Sequence, residues 1–188
     1  MALPFVKNLL AMKSIYLAGP DVFFPDAAAR YERLRALCAA HGLRGVAPVD
    51  GDAMPAGLDK AAQAEWIYQG NMRHLRDCDA VLANAMAFRN PVEPDSGTVF
   101  EIGAAVALGK PVALYDAELN EPLAQRVVAA FGRGNEPAPG MAFDATYSFL
   151  IEDFEQPLNL MLARSCSCHA SAQEAVAALA RRLGDGAA

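Results

Sequence analysis

Two acidic side chains near the start of a predicted helix are the residues of this chain best suited to chemistry. Asp95 lies in a loop with two prolines, and Glu101 follows six residues later, in the first turns of a predicted helix. The positive end of a helix dipole favours the ionised form of a carboxyl group there. An ionised, fixed carboxylate can act as a nucleophile toward a sugar carbon. The pattern therefore points to Glu101 as a nucleophile, with Asp95 nearby.

Each acidic residue also has an ordinary structural explanation. Glu101 could complete a capping box with Thr98, and Asp79 could be a solvated residue at the end of a strand. Asp95 or Ser96 could be a simple helix cap. A functional site is favoured because these residues occur together with small residues that let the backbone approach a ligand closely. Those residues are Gly97, Gly103 and Gly109.

Alternating strand-like and helix-like segments supply the frame for this site. Short apolar runs bounded by Gly, Pro or Asp predict strands, and apolar residues at every third or fourth position predict helices. The predicted strands are 14–19, 44–48, 79–84 and 111–115, and the predicted helices are 26–41, 60–76, 97–108, 121–131, 158–164 and 171–183. This alternation predicts an α/β fold: a flavodoxin-like, doubly wound parallel sheet of about five strands with helices on both faces.

In a doubly wound sheet, ligands bind outside the carboxyl ends of the strands. The first predicted strand ends in Ala18-Gly19-Pro20-Asp21, and the loop 90–98 follows the third strand. Asp77 and Asp79 open that third strand, and we group them with the same site. We therefore expect these polar residues to surround a ligand beside Glu101.

Composition restricts the class of protein. The chain has 188 residues, of which 54% are hydrophobic and 20% charged, with a net charge of −6. These values predict one globular domain, which we place at 14–188 after an N-terminal extension, 1–13. Without a basic face, nucleic-acid binding is not expected. Without a long apolar run or a leader peptide, we expect no membrane contact and a cytoplasmic location.

The cysteines do not form a recognisable metal site. Cys38 and Cys78 fall in helix-like apolar patterns and are expected to be buried thiols. Cys166 and Cys168, followed by His169, lack the second pair of ligands that a structural zinc site needs. We expect that segment to be a reduced loop, and we expect no metal.

Several motifs of the chain resemble those of the nucleoside 2-deoxyribosyltransferase family. They occur in order from about residue 14 to residue 164, which is most of the chain. The acidic loop and helix are the most specific of them, together with the Gly-Lys-Pro that follows. The motifs are Tyr16-Leu17-Ala18-Gly19-Pro20, Asp79, Asp95-Ser96-Gly97-Thr98-Val99-Phe100-Glu101-Ile102-Gly103 and Pro157-Leu158-Asn159-Leu160-Met161-Leu162. Gly19, Ser96 and Gly97 lie within them and are expected to bind substrate.

The resemblance implies three catalytic roles. Glu101 would attack C1′ of the sugar and carry it as a covalent intermediate. Asp79 would lie beside the base and exchange its proton. Tyr16 would hydrogen-bond and orient Glu101. No metal or organic cofactor is implied.

The resemblance also implies substrate contacts and an assembly. Asp95 would bind the 5′-hydroxyl group, helped by an Asn159 from a neighbouring subunit, so the active sites of a homo-oligomer would be shared. Met161 would line the sugar pocket. Phe23 or Phe24 would stack on the base. Taken alone, Asn159 reads as a helix cap, Met161 as a core residue, and either phenylalanine as core or pocket.

The implied substrates are 2′-deoxyribonucleosides and free purine or pyrimidine bases. Lactobacillar members end in a tyrosine whose carboxylate enters the active site, whereas this chain ends Gly184-Asp185-Gly186-Ala187-Ala188. One alternative is an N-hydrolase of 2′-deoxynucleoside 5′-monophosphates, although Asp95 would repel the phosphate. Another is a binding module without catalysis.

Overall fold

The protein folds as a five-stranded parallel sheet with helices on both faces. The structure, a computed structural model, describes residues 12–185. The strands are β1 (Ser14–Ala18), β2 (Arg44–Val46), β3 (Ala80–Asn84), β4 (Val112–Tyr115) and β5 (Ser167–His169). The helices are α1 (Ala27–Ala40), α2 (Lys60–Asp77), α3 (Ser96–Ala107), α4 (Leu123–Phe131), α5 (Leu160–Ser165) and α6 (Ala172–Asp185). Short 3₁₀ turns span Pro20–Phe23 and Ala117–Asn120.

The strand order is β2-β1-β3-β4-β5, and each neighbouring pair is parallel. This is the flavodoxin-like order, so the predicted fold class is confirmed. The strand order reverses between β1 and β3. The connections that follow these two strands run to opposite faces of the sheet, so a crevice opens above the carboxyl ends of β1 and β3. No helix within residues 12–185 is long and apolar enough to cross a bilayer.

Alternating residues of the strands pack on the two layers of helices. Ile15 and Leu17 face a cluster that includes side chains of α1 and α6. Tyr16 and Ala18 face the opposite cluster, which includes side chains of α2, α3 and α5. Because successive side chains of a strand point to opposite faces, Tyr16 is directed toward the helix that holds Glu101.

The fifth strand differs from the sequence-based expectation. Ser167–His169, which we expected to be a loop, pairs in parallel with β4 at the edge of the sheet. Cys166 and Cys168 pack against the same cluster as Tyr16. An edge strand needs only one set of ladder partners, so three residues without a β-branched side chain suffice.

The predicted extension, 1–13, lies mostly outside the described residues. Lys13, its last residue, is joined to the sheet: its carbonyl oxygen accepts a hydrogen bond from the amide of Arg44 at 2.9 Å.

Candidate functional site

A buried tyrosine and a glutamate form the centre of the site. The hydroxyl group of Tyr16 donates a hydrogen bond to Oε1 of Glu101 at 2.6 Å, although 85 residues separate them. The side-chain amide of Asn71, on α2, lies 3.5 Å from the same oxygen. Oε2 of Glu101 has no hydrogen-bond donor among residues 12–185. One carboxylate oxygen is therefore held in place while the other is available for chemistry.

Glu101 is not a helix cap. It is the sixth residue of α3, and the helix is capped by Asp95, whose side chain accepts from the amide of Thr98. Burial raises the pKa of Glu101 to about 7, against the hydrogen bond from Tyr16, and the negative charge of Asp95 adds to the increase. The expectation that the helix dipole keeps Glu101 ionised is therefore corrected: desolvation dominates in the second turn of the helix.

Asp95 has one oxygen engaged in the fold and one that is free. Oδ2 accepts from the amide of Thr98 at 3.0 Å and from its hydroxyl at 3.3 Å. Oδ1 has no donor in the described part of the chain. Ser96 and Gly97 follow on the exposed first turn of α3. The acidic loop thus presents a carboxylate oxygen and a helix start at the carboxyl edge of the sheet.

Asp79 lies at the amino end of β3, whereas Asp95 lies in the loop that follows the carboxyl end of this strand. Asp79 precedes β3, and its carboxylate accepts from Nζ of Lys13 and from the amide of Ser14, both at 2.8 Å. Burial would raise the pKa of Asp79, but these donors outweigh it and hold the pKa below its ordinary value. The assignment of Asp79 as a proton donor to the base is therefore withdrawn, because a residue that opens a strand lies away from its carboxyl end.

A buried polar pair joins the ends of β1 and β3. The amide of Asn84 donates to Oδ2 of Asp21 at 2.8 Å, and Arg30 pairs with Oδ1 at 3.2 Å. Gly19 lies between the two strands with φ of +148°, and a Cβ there would be 2.7 Å from Cβ of Asn84. These contacts fix the floor of the crevice, and only glycine fits at its centre.

A cavity of about 840 Å³ opens beside this centre. Its walls are the 3₁₀ turn after β1, the loop 48–54 and the face of α2 that includes Trp66 and Asn71. Phe23 lines it and stacks on Phe88 with ring centroids 5.3 Å apart. The cavity therefore offers flat apolar surfaces together with polar groups, as a nucleobase requires.

The two candidate phenylalanines differ in position. Phe23 is 56% exposed and faces the cavity. Phe24 instead packs against Arg30, whose guanidinium carbon lies 3.9 Å from the centroid of the Phe24 ring. The ring of Phe24 is also tilted against the ring of Phe88. The guanidinium group of Arg89 stacks on the rings of Phe23 and Phe88. Neither Phe88 nor Arg89 was identified from the sequence.

Asn159 is half-buried at the start of α5, and Met161 is exposed two residues later. Asn159 caps α5 through the amide of Met161 and donates to Glu152 at 2.8 Å. Met161 is 71% exposed, so it is not a core residue. Neither is a hydrogen-bond partner of Glu101 among the described residues.

Asn71 lies close to Glu101 but was not identified from the sequence. It lies inside a long helix, 30 residues before Glu101, in a segment with no motif. The only signal is its position on α2, four residues after Ile67 and one turn before His74, on the half-buried face of the helix.

Known proteins match most of this chain. A structure described as a 2-desoxiribosyltransferase from Leishmania mexicana is 33% identical, covers 90% of this chain and 97% of its own, and has a TM-score of 0.68. A 2-deoxyribosyltransferase from Bacillus psychrosaccharolyticus has a TM-score of 0.54 at 17% identity over 86% of this chain and 88% of its own, which supports the fold alone.

Curated relatives match over shorter stretches. Mouse 5-hydroxymethyl-dUMP N-hydrolase is 31% identical over 110 residues, 58% of this chain and 56% of its own. An uncharacterized protein of Schizosaccharomyces pombe is 35% identical over 100 residues, 53% of this chain and 47% of its own. The chain thus spans about half the length of these relatives. The family model described as nucleoside 2-deoxyribosyltransferase matches residues 15–161, which include Tyr16, Asn71, Asp95 and Glu101, and this chain belongs to that family.

Proposed function

We propose that this protein moves the deoxyribosyl group of 2′-deoxyribonucleosides from one purine or pyrimidine base to another, with Glu101 as the nucleophile. The observation that supports this most directly is the 2.6 Å hydrogen bond from Tyr16 to one oxygen of Glu101, which leaves the other oxygen free at the crevice. The cavity beside it is large enough for a nucleoside.

In the first half-reaction, Oε2 of Glu101 attacks C1′ from the side opposite the base. The C1′–N bond breaks, its electron pair goes to the base, and the sugar becomes an ester of Glu101. In the second half, a nitrogen of an incoming base attacks C1′ and Glu101 leaves. The two inversions give net retention. A 2′-hydroxyl group would crowd the nucleophile and disfavour positive charge at C1′, which explains a preference for 2-deoxy sugars.

The free Oδ1 of Asp95 is proposed to accept a hydrogen bond from the 5′-hydroxyl group of the sugar. Asp95 is 9% exposed and its other oxygen caps α3, so the carboxylate cannot turn away from a ligand. A 5′-phosphate placed there would meet a negative charge at short range. This favours nucleosides over nucleotides.

The second candidate is N-hydrolysis of a 2′-deoxynucleoside 5′-monophosphate. It is favoured by the similarity to the mouse 5-hydroxymethyl-dUMP N-hydrolase. In such an enzyme, water rather than a base would attack C1′ of the sugar ester and release the sugar from Glu101. The repulsion expected from Asp95 is the argument against it.

One experiment separates these activities from each other and from a non-catalytic binding module. Purified protein is mixed with deoxyinosine and free adenine, and separately with dAMP, and the products are separated by chromatography. We expect deoxyadenosine from the first mixture, and no deoxyadenosine from Glu101→Gln, which keeps the shape of the side chain but removes the nucleophile. Faster release of base from dAMP than from deoxyadenosine would support the hydrolase. Binding without turnover would support the module.

A further inference from the structure

The proposed reaction needs an acid that the centre of the site does not provide. A base leaves C1′ with the electron pair of the bond, and a purine or pyrimidine leaves far more readily if it takes up a proton. The amide of Asn71 has no acidic proton to give. The proton of Tyr16 is held by Glu101, and burial together with that carboxylate raises the pKa of Tyr16 far above its ordinary value.

The cavity beside the centre contains four charged or titratable side chains, Asp50, Asp52, Arg73 and His74. Both oxygens of Asp50 are engaged, one by Arg35 at 2.6 Å and one by the amide of Ala47 at 2.9 Å. A guanidinium group does not release its proton in proteins. Asp52 is exposed on the loop 48–54. His74 is half-buried, and an imidazole side chain can serve as a general acid and then as a general base.

His74 is oriented by the loop that covers the cavity. Its Nε2 lies 2.6 Å from the carbonyl oxygen of Asp50. A carbonyl oxygen can only accept, so Nε2 carries the hydrogen and Nδ1 is the nitrogen that exchanges a proton. Nδ1 has no hydrogen-bond partner in the described part of the chain.

His74 is also placed near the proposed nucleophile by its position on α2. It follows Asn71 by three residues on α2, so the two side chains lie on one face of the helix, a turn apart. Asn71 reaches Glu101, and His74 and Asn71 line the same cavity. A base in that cavity would have its sugar at Glu101 and its ring beside His74.

We propose that His74 protonates the departing base and recovers the proton from the incoming one; this rests on the proposed function. As the C1′–N bond breaks, Nδ1–H of the imidazolium gives its proton to a ring nitrogen of a purine or to O2 of a pyrimidine. The imidazole becomes neutral. When the incoming base attacks C1′, its N–H proton passes to Nδ1 and the imidazolium is restored.

The test compares two substrates that differ in their need for an acid. Deoxyinosine requires a proton on its leaving base, whereas 7-methyl-2′-deoxyguanosine already carries a positive charge and releases a neutral base. For His74→Gln we expect base release from deoxyinosine to fall by about 100-fold or more, with release from 7-methyl-2′-deoxyguanosine within about threefold of wild type. Glutamine can still donate to the carbonyl of Asp50, so the loop keeps its contact.

Two matched variants complete the design. His41→Gln removes an exposed histidine that follows α1. This variant should release base from both substrates at the wild-type rates. Asp52→Asn should likewise leave the ratio of the two rates unchanged. A selective loss for deoxyinosine in Asp52→Asn would overturn the proposal in favour of Asp52, and a parallel loss or no loss in His74→Gln would overturn it outright. If wild type releases base from neither substrate, the proposed function itself fails.

Discussion

At the scale of single residues, the charge on Glu101 is set by opposing neighbours. Burial raises its pKa to about 7, the hydrogen bond from Tyr16 acts against that shift, and the charge of Asp95 adds to it. The proposed nucleophile must be ionised, so for 7-methyl-2′-deoxyguanosine, whose leaving base needs no acid, we expect kcat/KM to rise with pH through about 7 in the wild type. With this substrate, a buried carboxyl group of raised pKa implies activity that increases on the alkaline side of neutrality.

The two neighbours should shift this dependence in opposite directions. Tyr16→Phe removes a hydrogen bond that lowers the pKa of Glu101, so the rise should move to higher pH. Asp95→Asn removes a negative charge that raises that pKa, so the rise should move to lower pH, while asparagine can still cap α3. The measurement is kcat/KM for 7-methyl-2′-deoxyguanosine against pH for both variants. If both keep the wild-type profile, the rise does not report Glu101.

Asp79 should affect stability rather than chemistry. Its carboxylate ties the start of β3 to Lys13 and Ser14, so Asp79→Asn should cost about 1 kcal/mol in the free energy of unfolding. Base exchange by the folded variant should stay close to wild type. A large fall in kcat with unchanged stability would restore a catalytic role for Asp79.

The contrast between Asp79 and Asn71 shows how far the sequence reveals the site. Tyr16, Asp95 and Glu101 lie in short motifs at the ends of recognisable elements, so their convergence could be predicted. Asp79 also lies in a motif, but it opens its strand, as the sequence already indicates, and the amino end of a strand lies away from the crevice where ligands bind. Asn71 reaches Glu101 through the packing of α2 on α3, and no local pattern encodes that distance.

At the scale of elements, a buried arginine links two segments of the site. Arg126, on α4, is 7% exposed; its guanidinium donates to the carbonyl of Val92 at 2.9 Å and to the carbonyl of Pro157. The first carbonyl precedes Asp95 and the second precedes Asn159. One side chain therefore positions the acidic loop relative to α5.

We expect Arg126→Met to destabilise the fold by about 1–3 kcal/mol, because two carbonyl groups lose their donor. KM for the nucleoside should rise more than kcat falls, since Asp95 is proposed to bind the substrate. The matched control is Arg133→Met, since Arg133 is exposed and pairs only locally with Glu136. An Arg126→Met protein with wild-type stability and KM would contradict this linking role.

Elements were predictable where burial was complete. β1, β3 and β4 are apolar runs covered on both faces, and they lie close to the predicted positions. β5 has the sequence Ser-Cys-His and is half-buried, so neither hydrophobicity nor β propensity marks it. It becomes a strand because β4 offers an unpaired edge, which is tertiary information.

At the scale of the whole molecule, we propose that two subunits complete each site. Asn159 and Met161 make no hydrogen bond to Glu101 within the described residues, and the segment before them has exposed apolar side chains, among them Phe149 at 70% and Phe154 at 61%. Such a surface is typical of a protein interface. In a two-fold dimer, each subunit would give one Asn159 and receive one.

Mixing two inactive variants tests this assembly. Glu101→Ala and Asn159→Ala should each lack exchange activity, and a mixed dimer should contain one site with both defects and one with neither. We expect activity to return on mixing once mass measurements show that subunits exchange. Exchange without recovered activity would place Asn159 within its own subunit's site.

Strand β1 lies between β2 and β3 in the sheet, and its second neighbour, β3, is synthesised late. β1 is the first strand of the chain, yet Ser14 hydrogen-bonds to Asp79, 65 residues further on, and β3 follows directly. During synthesis, β1 emerges with one edge unpaired until residue 84 has left the ribosome, and contacts so distant in sequence form slowly. Tyr16 meets Glu101 later still, so the proposed catalytic pair is assembled only after most of the sheet exists. Nascent chains that stop before β3 should accordingly be cut readily by proteases.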